Sequence, residues 1–228
     1  MEHAFDHSRS VLTVPAMRSD PKRPDEHTRE IITLLPRIMK PEEGTLALFT
    51  SRKQQEEVAK AMPEAWRRRL LIQDTLPRAE LLEKHAAAIG RGEGSVIFGL
   101  ASFAEGIDLP GRLCEHVVIA KIPFAVPTGP VEQTLAEWVT SLGRNPFLDL
   151  AVPDAAIRLV QMAGRLLRTE TDTGRVTLLD TRLFTARYGD YLLKSLPPFR
   201  IERPERAENA SRMKPAQRGA AGRVAAVS

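Results

Sequence analysis

Short apolar runs alternate along this chain with stretches in which apolar residues recur every three or four positions. The runs are typical of buried strands and predict strands over residues 44–51, 70–73, 95–100, 117–120 and 176–180, with a shorter one over residues 10–14. The other stretches predict helices over residues 25–39, 53–62, 78–89, 131–142 and 188–195. Asp154 is expected to cap a further helix that extends to about residue 168. This alternation predicts an α/β fold in which helices cover both faces of a mainly parallel sheet.

The same pattern divides the chain into three segments. Residues 1–40 hold one short strand and one helix, and are expected to flank the main α/β domain of residues 41–200. Residues 201–228 contain almost no large apolar residue, so a disordered basic tail is predicted. Asp25-Glu26-His27 superficially matches a magnesium-binding acidic box. No buried apolar strand precedes it, and we interpret these residues as a helix start.

The charge of the chain gives little support to nucleic-acid binding by its folded part. The formal net charge is +4, from 33 basic and 29 acidic residues. Seven of these basic and three of these acidic residues lie in 200–228, so the first 199 residues carry 26 of each and are formally neutral. The local placement of charge must therefore supply any argument for a DNA site.

Cysteine content and hydropathy exclude several classes of protein. Cys114 is the only cysteine, which rules out an intrachain disulfide and argues against a zinc or iron-sulfur site. We interpret Cys114 as a small buried residue, and His85 as a packed or surface residue because no partner stands at ligand spacing. The chain lacks an apolar run of about 18 residues that a membrane span needs, and residues 1–10 lack the apolar core of a signal peptide. We therefore expect a cytoplasmic protein with no membrane partner and no metal ligands.

Polar motifs follow three of the predicted strands, at the end where a parallel sheet binds its ligands. Thr50-Ser51-Arg52 closes one strand, Gln73 closes another, and residues 102–108 follow a third. Together they predict a binding edge. For any one motif alone, an ordinary polar loop is the simpler interpretation.

The most distinctive motif is Gln161-x-x-Gly164-Arg165-x-x-Arg168. In a helix, Gln161, Arg165 and Arg168 share one face, and two guanidiniums would project from it together. This arrangement suits the charge that spreads over a phosphoryl group during its transfer. Gly164 lowers helix stability by about 1 kcal/mol relative to alanine, which suggests that something approaches the backbone closely there. The solvated face of an amphipathic helix has the same spacing and is the alternative interpretation.

These residues carry a resemblance to a known family. The Gln161 to Arg168 motif resembles motif VI of superfamily 2 helicases. The segment Gly99-x-x-Ser102-Phe103-x-Glu105-Gly106-x-Asp108-x-Pro110-Gly111 resembles motif V of the DinG and XPD branch of DNA helicases. Thr50-Ser51-Arg52 resembles motif IV of that branch, and Asp180-Thr181-Arg182 with Tyr188 resembles its ending. The motifs occur in the family's order between about Gly44 and Phe199.

The resemblance implies a RecA-like, P-loop NTPase-type fold of three αβα layers that forms the second lobe of a helicase motor. It implies that ATP lies between this lobe and a first lobe. Arg165 and Arg168 would then act as arginine fingers and Gln161 would sense the γ-phosphate. Glu105, Gly106, Asp108 and Gly164 would lie at the ATP site.

The resemblance also implies partners. Thr50, Ser51, Arg52 and Ser102 would grip the phosphates of single-stranded DNA, which positions the strand without reading its sequence. It further implies movement along DNA from 5′ to 3′.

This chain lacks the Gly-x-x-x-x-Gly-Lys-Ser/Thr phosphate loop of a complete motor, since the glycine-rich residues 90–95 have neither the spacing nor the lysine. The lysine, the Mg²⁺ ligands and the iron-sulfur cysteines of the family are also missing. We therefore expect the chain to be inactive alone and to represent the C-terminal part of a longer enzyme. It would share an ATP site with an N-terminal lobe, in cis or in trans, and that lobe would hold Mg²⁺. The alternative is a stand-alone RecA-like module, without motor activity, that binds nucleic acid or a protein.

Overall fold

A computed structural model describes residues 9–125, 129–166 and 172–203 of the chain. Its strands are β1 (Val11–Thr13), β2 (Gly44–Phe49), β3 (Leu70–Ile72), β4 (Ser95–Leu100), β5 (His116–Ile119), β6 (Arg175–Leu178) and β7 (Arg200–Glu202). Its helices are α1 (Pro24–Ile38), α2 (Arg52–Ala61), α3 (Glu64–Arg67), α4 (Arg78–Gly90), α5 (Pro130–Ser141), α6 (Val152–Ala163), α7 (Arg182–Thr185) and α8 (Gly189–Ser195). The predicted alternation of strands and helices is confirmed.

The seven strands form one sheet in the order β3-β4-β2-β5-β6-β1-β7. Every pairing among the described strands is parallel. The register places Leu46 of β2 beside Ile97 of β4 and Val117 of β5. The carboxyl ends of β2, β3 and β4 therefore meet along one edge, as expected of adjacent parallel strands.

Two apolar clusters cover the two faces of the sheet. Leu46 and Leu48 of β2 belong to one cluster, which also contains side chains of α4, α6 and α8. Ala47 and Phe49 belong to the other, together with side chains of α1 and α2. Alternate residues of one strand thus enter different cores, because successive side chains of a strand point to opposite faces. The three-layer αβα prediction is confirmed.

The structure corrects the predicted helix of residues 154–168 at both ends. A π-helical turn, Phe147–Ala151, leads directly into α6, so Asp154 is not its N-cap but lies in its first turn and binds Arg158 at 2.9 Å. The helix ends at Ala163 with Gly164 as its C-cap, and Arg165 lies beyond it. The prediction that Gln161 and Arg165 share one helical face is therefore wrong. Apolar spacing locates the middle of a helix more reliably than its ends.

The amino-terminal segment enters the same sheet. β1 pairs with β6 on one side and with β7 on the other, and α1 contributes Ile31 and Leu35 to the core. Ile201 and Glu202, the second and third residues of β7, fall in the segment predicted as a tail, whose residues 204–228 lie outside the described residues. The proposed division into residues 1–40, 41–200 and 201–228 stays a prediction.

Asp25, Glu26 and His27 lie in the first two turns of α1, as predicted. His27 is buried, and its Nε2 lies 2.8 Å from the carbonyl oxygen of Leu179 at the end of β6. Cys114 and His85 are also buried, as the packed-residue interpretation expects. His85 Nε2 lies 2.7 Å from the carbonyl oxygen of Leu113, so this histidine fixes the loop that precedes β5.

Candidate nucleotide and nucleic-acid interface

The loop after β4 turns abruptly at the carboxyl edge of the sheet. A 3₁₀ turn, Ala101–Ala104, buries Phe103 and leaves Ser102 exposed. Glu105, Gly106 and Asp108 are also exposed, and Gly106 has a φ of +70°. This left-handed conformation strains a residue that has a Cβ atom, which explains a glycine here. The predicted ATP-site residues of this loop are thus presented to the edge.

Two further residues hold this loop in place. Arg78, on α4, donates a hydrogen bond from Nη2 to the Glu105 carbonyl oxygen at 2.7 Å, and its guanidinium carbon lies 5.2 Å from the centre of the Phe103 ring. A Cβ atom at Gly99 would lie 2.7 Å from Phe103 Cδ1, so a larger residue at Gly99 would displace the ring. Gly99 and Phe103 therefore serve the packing of the loop, and Arg78 fixes its backbone.

The helix α6 carries the second group of predicted site residues. Leu159, Met162 and Ala163 face the core, and Gln161 is exposed. A Cβ atom at Gly164 would have the carbonyl oxygens of Val160 and Gln161 as its nearest neighbours, at 3.1 and 3.7 Å. We predicted that something approaches the backbone closely at Gly164. Within the described residues, the atoms that do so are carbonyl oxygens of its own helix. Arg168 lies outside the described residues.

Arg165 joins the two groups. Its Nη1 donates a hydrogen bond to the carbonyl oxygen of Ile107 at 3.2 Å, and its Nε donates one to the carbonyl oxygen of Gln161 at 3.3 Å. The first contact reaches into the loop after β4 and the second reaches back to the last turn of α6. A planar guanidinium can make both contacts because its donors point in fixed, different directions. Arg165 thereby links the end of α6 to the loop after β4.

A small cavity of about 50 Å³ lies between these two groups. Its lining includes Ser102, Glu105, Arg158, Gln161 and Arg165. Small-molecule pockets usually measure about 300–1,000 Å³. The guanidinium and amide donors suit phosphate oxygens rather than a metal ion. The cavity is too small to enclose a nucleotide alone.

The predicted motif IV residues lie on the neighbouring strand end. Thr50 and Ser51 are exposed, and Ser51 caps α2 by accepting a hydrogen bond from the Gln54 backbone nitrogen at 3.5 Å. Arg52 forms an ion pair of 2.5 Å with Asp74, beyond the end of β3. Arg52, Gln73 and Asp74 help line an open cavity of about 600 Å³. Ser102, predicted to bind DNA with them, instead lines the smaller cavity beside Arg165.

Comparison with protein families assigns most of the chain to a known domain. Residues 35–199 match the family described as the helicase C-terminal domain. The chain belongs to this family. Within it, the chain is of the DinG and XPD type, as its motifs predicted. The match covers the strands β2 to β6 and the helices α2 to α8 of the described structure.

Curated relatives of this helicase C-terminal domain are DinG helicases. The ATP-dependent DNA helicase DinG of Photobacterium profundum is 44% identical over 202 residues, which is 86% of this chain and 29% of the relative. DinG of Escherichia coli strain K12 is 36% identical over 219 residues, covering 94% of this chain and 30% of the relative. The chain thus spans less than a third of the length of these relatives.

Solved structures agree on the fold. A chain named XPD_Helicase aligns with a TM-score of 0.58 and 23% identity, covering 87% of this chain and 36% of the other. Xpd4 of S. tokodaii aligns with a TM-score of 0.62 and 18% identity, covering 87% and 39%. The domain therefore has an α/β fold that resembles the RecA-like lobes of these proteins.

The family's ending, Asp180-Thr181-Arg182, has a structural role in this helicase domain. The fully buried Asp180 carboxylate accepts hydrogen bonds from the Ile122 backbone nitrogen at 3.0 Å and from the Arg182 guanidinium at 2.6 and 2.9 Å. These bonds join the loops that follow β5 and β6. Burial raises the pKa of the neighbouring Tyr188, whose ring packs edge-on against Phe124.

Other sequence features lie away from this edge. The glycine-rich residues 90–95 connect α4 to the start of β4, at the amino-terminal edge of the sheet, whereas ligands gather at the carboxyl edge. Within the described residues, no three His, Cys, Asp or Glu side chains converge as metal ligands.

Among the described helices, none has the length and hydrophobicity of a membrane span.

Sequence reasoning missed Arg78 and Arg158 at this site. Arg78 fixes the loop after β4, and Arg158 lines the cavity beside Arg165. Neither belongs to a helicase-like motif. Arg158 lies three residues before Gln161, one turn earlier on α6. This spacing could have identified it as a neighbour of Gln161. No local signal identifies Arg78, because its partners lie more than twenty residues away.

Proposed function

We propose that this chain is the second motor lobe of a DinG-like, ATP-dependent DNA helicase. The observation that carries the proposal is the contact of Arg165 with the Ile107 carbonyl oxygen, which brings the motif VI arginine to the motif V loop beside Gln161. The small size of the cavity there supports an ATP site completed by a first lobe. The chain alone does not hydrolyse ATP in this proposal.

The proposed roles of the site residues follow from their chemistry. Arg165 stabilises negative charge on the γ-phosphoryl group, and Gln161 donates a hydrogen bond to it when the two lobes close. Arg168 is proposed as a second arginine finger on the basis of the family motif. Glu105, Gly106 and Asp108 form the neighbouring wall, and Gly164 ends the helix so that Arg165 can turn toward it. The first lobe holds Mg²⁺.

The proposed DNA contacts lie along the same sheet edge. Thr50, Ser51 and Arg52 surround the amino terminus of α2, where hydroxyls, a guanidinium and the positive helix end favour a phosphate. Ser102 follows β4, which neighbours β2, and it lines the cavity beside Arg165, so a conformational change at the nucleotide can reach the DNA grip. The direction of movement, 5′ to 3′, is carried over from the family.

Reconstitution with a first lobe tests the proposal. The chain is mixed with the part of a DinG helicase that precedes its helicase C-terminal domain, with oligothymidylate and with a non-hydrolysable ATP analogue. We expect a complex on gel filtration that requires the analogue, and DNA-stimulated ATP turnover only when both proteins and ATP are present. Substrates with a single 5′ or 3′ overhang then give the direction.

Two results would contradict the motor lobe. One is ATP turnover by the chain alone. The other is tight binding of DNA by the chain without any association with the first lobe, which would favour a stand-alone nucleic-acid-binding module.

A further inference from the structure

The helix α5 is largely unburied on this domain. Among its twelve described residues only Val139 is buried. Of the nine large apolar side chains exposed in the described part of the chain, seven lie between residues 131 and 157. Four of them are Val131, Leu135, Trp138 and Leu142, at positions i, i+4, i+7 and i+11. This spacing aligns them along one side of the helix, and we call these four residues the α5 stripe.

A stripe of this kind indicates an interface. Exposed apolar side chains are normal when they are scattered, but a continuous row on one helix face marks a surface that another molecule covers. Trp138 is 57% exposed and lies at the centre of the row. Tryptophan is enriched among the residues that contribute most to protein–protein binding.

The charge of α5 disfavours nucleic acid as the occupant. Residues 129–143 contain Glu132 and Glu137 and no lysine or arginine. A DNA-binding helix normally carries basic residues that neutralise phosphates. Two carboxylates beside the α5 stripe would repel a phosphate backbone, whereas they would complement an apolar protein surface with basic residues at its rim.

The position of the stripe along the chain links it to the cavity beside Arg165. α5 follows the carboxyl end of β5 and leads through residues 142–151 into α6. Arg158 and Gln161 of α6 line the cavity beside Arg165. The exposed side chain of Ile157 lies one helical turn before Gln161. A protein surface that closed this cavity would therefore also lie close to Ile157, one of the exposed apolar side chains of the 131–157 segment.

We propose that the α5 stripe is a docking surface for the part of the helicase that precedes this domain in DinG relatives. The inference rests on the proposed function. Its occupant is chosen because this chain spans only 29–30% of those relatives, so most of the polypeptide that could cover the stripe lies outside this structure. The docking region would present an apolar groove with lysine or arginine at its rim.

Trp138 offers a direct probe, because the chain has only two tryptophans and Trp66 is buried. The chain is labelled with 5-fluorotryptophan, and ¹⁹F signals are recorded with a soluble nitroxide that broadens exposed groups. The Trp66→Phe variant assigns the two signals. We expect the Trp138 signal to be broadened in the chain alone and protected when the unlabelled first-lobe protein is added, with Trp66 protected throughout.

Three results would overturn the docking surface. Trp138 could stay broadened in a complex that forms and hydrolyses ATP, which would leave the proposed function intact. Protection could appear in the chain alone as its concentration rises, which would assign the stripe to a second copy. Protection could also be produced by oligothymidylate without the first lobe, which would assign it to DNA.

Matched variants separate docking from catalysis. Leu135→Ser combined with Trp138→Ser is expected to weaken association with the first lobe at least about tenfold, with turnover restored at saturating chain. Tyr191→Ser, at a site 52% exposed outside the 131–157 segment, is the control and should leave association unchanged. Equal effects of the two variants would contradict the proposal. If a complex formed in which Trp138 is protected but ATP is not hydrolysed, the proposed motor function would be contradicted and the docking surface would be supported.

Discussion

Arg165 Nη1 donates a hydrogen bond to the carbonyl oxygen of Ile107 at 3.2 Å, across 58 residues of sequence. This contact ties the end of α6 to the loop that follows β4. Arg165 lies beyond the helix end, and its contacts include this bond and a second one to the Gln161 carbonyl oxygen. A movement of the loop after β4 or of the end of α6 would therefore shift the guanidinium.

Replacing Arg165 should affect catalysis far more than folding. In the reconstituted helicase, Arg165→Ala is expected to lower the ATPase kcat about 10³-fold, because an arginine finger stabilises charge that develops in the transition state. Arg165→Lys should recover little, since an ammonium cannot reproduce the planar fork. Steady-state turnover with saturating DNA measures both effects. Arg91→Ala, at the amino-terminal edge, is the control and should be neutral.

Near-normal turnover in Arg165→Ala would exclude the arginine-finger role. Thermal unfolding of each variant shows whether a loss of activity reflects a loss of fold.

Arg52 and Asp74 should have opposite effects on DNA affinity. Arg52→Ala is expected to weaken oligothymidylate binding and to reduce the slope of log K against log salt by about 0.7, the value for one phosphate contact on a single strand. Asp74→Asn should strengthen binding, because it removes the carboxylate that pairs with Arg52. Fluorescence anisotropy of the reconstituted helicase over a salt series measures both.

The Arg91 and Glu93 ion pair is a matched control. Its charged atoms lie 2.7 Å apart and its side chains are similarly exposed, but the pair lies at the opposite edge of the sheet. If Arg91→Ala changed the salt slope as much as Arg52→Ala, the DNA site assigned to Arg52 would be wrong.

Acid should destabilise the domain before its carboxylates titrate. Burial lowers the pKa of His27, His85 and His116 below the ordinary value of 6.5. These side chains take up protons at a lower pH in the folded state than in the unfolded chain. The free energy of unfolding is therefore fully present above pH 6.5 and falls as the pH drops below it. Urea unfolding at pH 7.5, 6.5 and 5.5 measures this fall.

His85→Gln tests the contribution of one histidine to the pH dependence of the free energy of unfolding. The variant keeps an amide donor for the Leu113 carbonyl oxygen and cannot titrate. The loss of stability between pH 7.5 and 5.5 should be smaller in the variant than in the unsubstituted chain. An identical loss would show that His85 does not contribute.

Two glycines before β4 should differ in their tolerance of alanine. Gly92 and Gly94 both have a positive φ, of 76° and 68°, so alanine at either is strained by about 1–2 kcal/mol. A Cβ atom at Gly92 meets nothing within 4 Å, whereas one at Gly94 would overlap the carbonyl oxygen of Pro41. Gly94→Ala should therefore lose a further 1–3 kcal/mol, roughly the penalty of overpacking. Equal unfolding free energies for the two variants would contradict this packing.

Much of the fold was predictable because its signals are local. β2 and β4 are continuous apolar runs, and such runs are expected of strands covered on both faces. β7 was missed because its three residues are exposed and contain one apolar side chain, Ile201. It is a strand only because β1 lies beside it and provides hydrogen-bonding partners.

The candidate site was predictable in part. The motifs identified Ser102, Glu105, Gln161 and Arg165, and all four line the same cavity. Arg78 could not be found, because its role comes from the backbone of a loop that is distant in sequence. The amphipathic pattern of α5 was visible, but the pattern could not show that its apolar side would remain uncovered on this domain.

The sequence by itself therefore determined the order of the longer strands and helices, the two apolar faces of the sheet and the family motifs, because these depend on residue type and short-range spacing. Tertiary structure alone decided the end of α6 before Arg165, the contact of Arg165 with Ile107 and the exposure of the α5 stripe. Each of these depends on hydrogen bonds or packing between segments far apart in the chain. Short-range spacing carries no information about such pairings until the sheet brings the segments together.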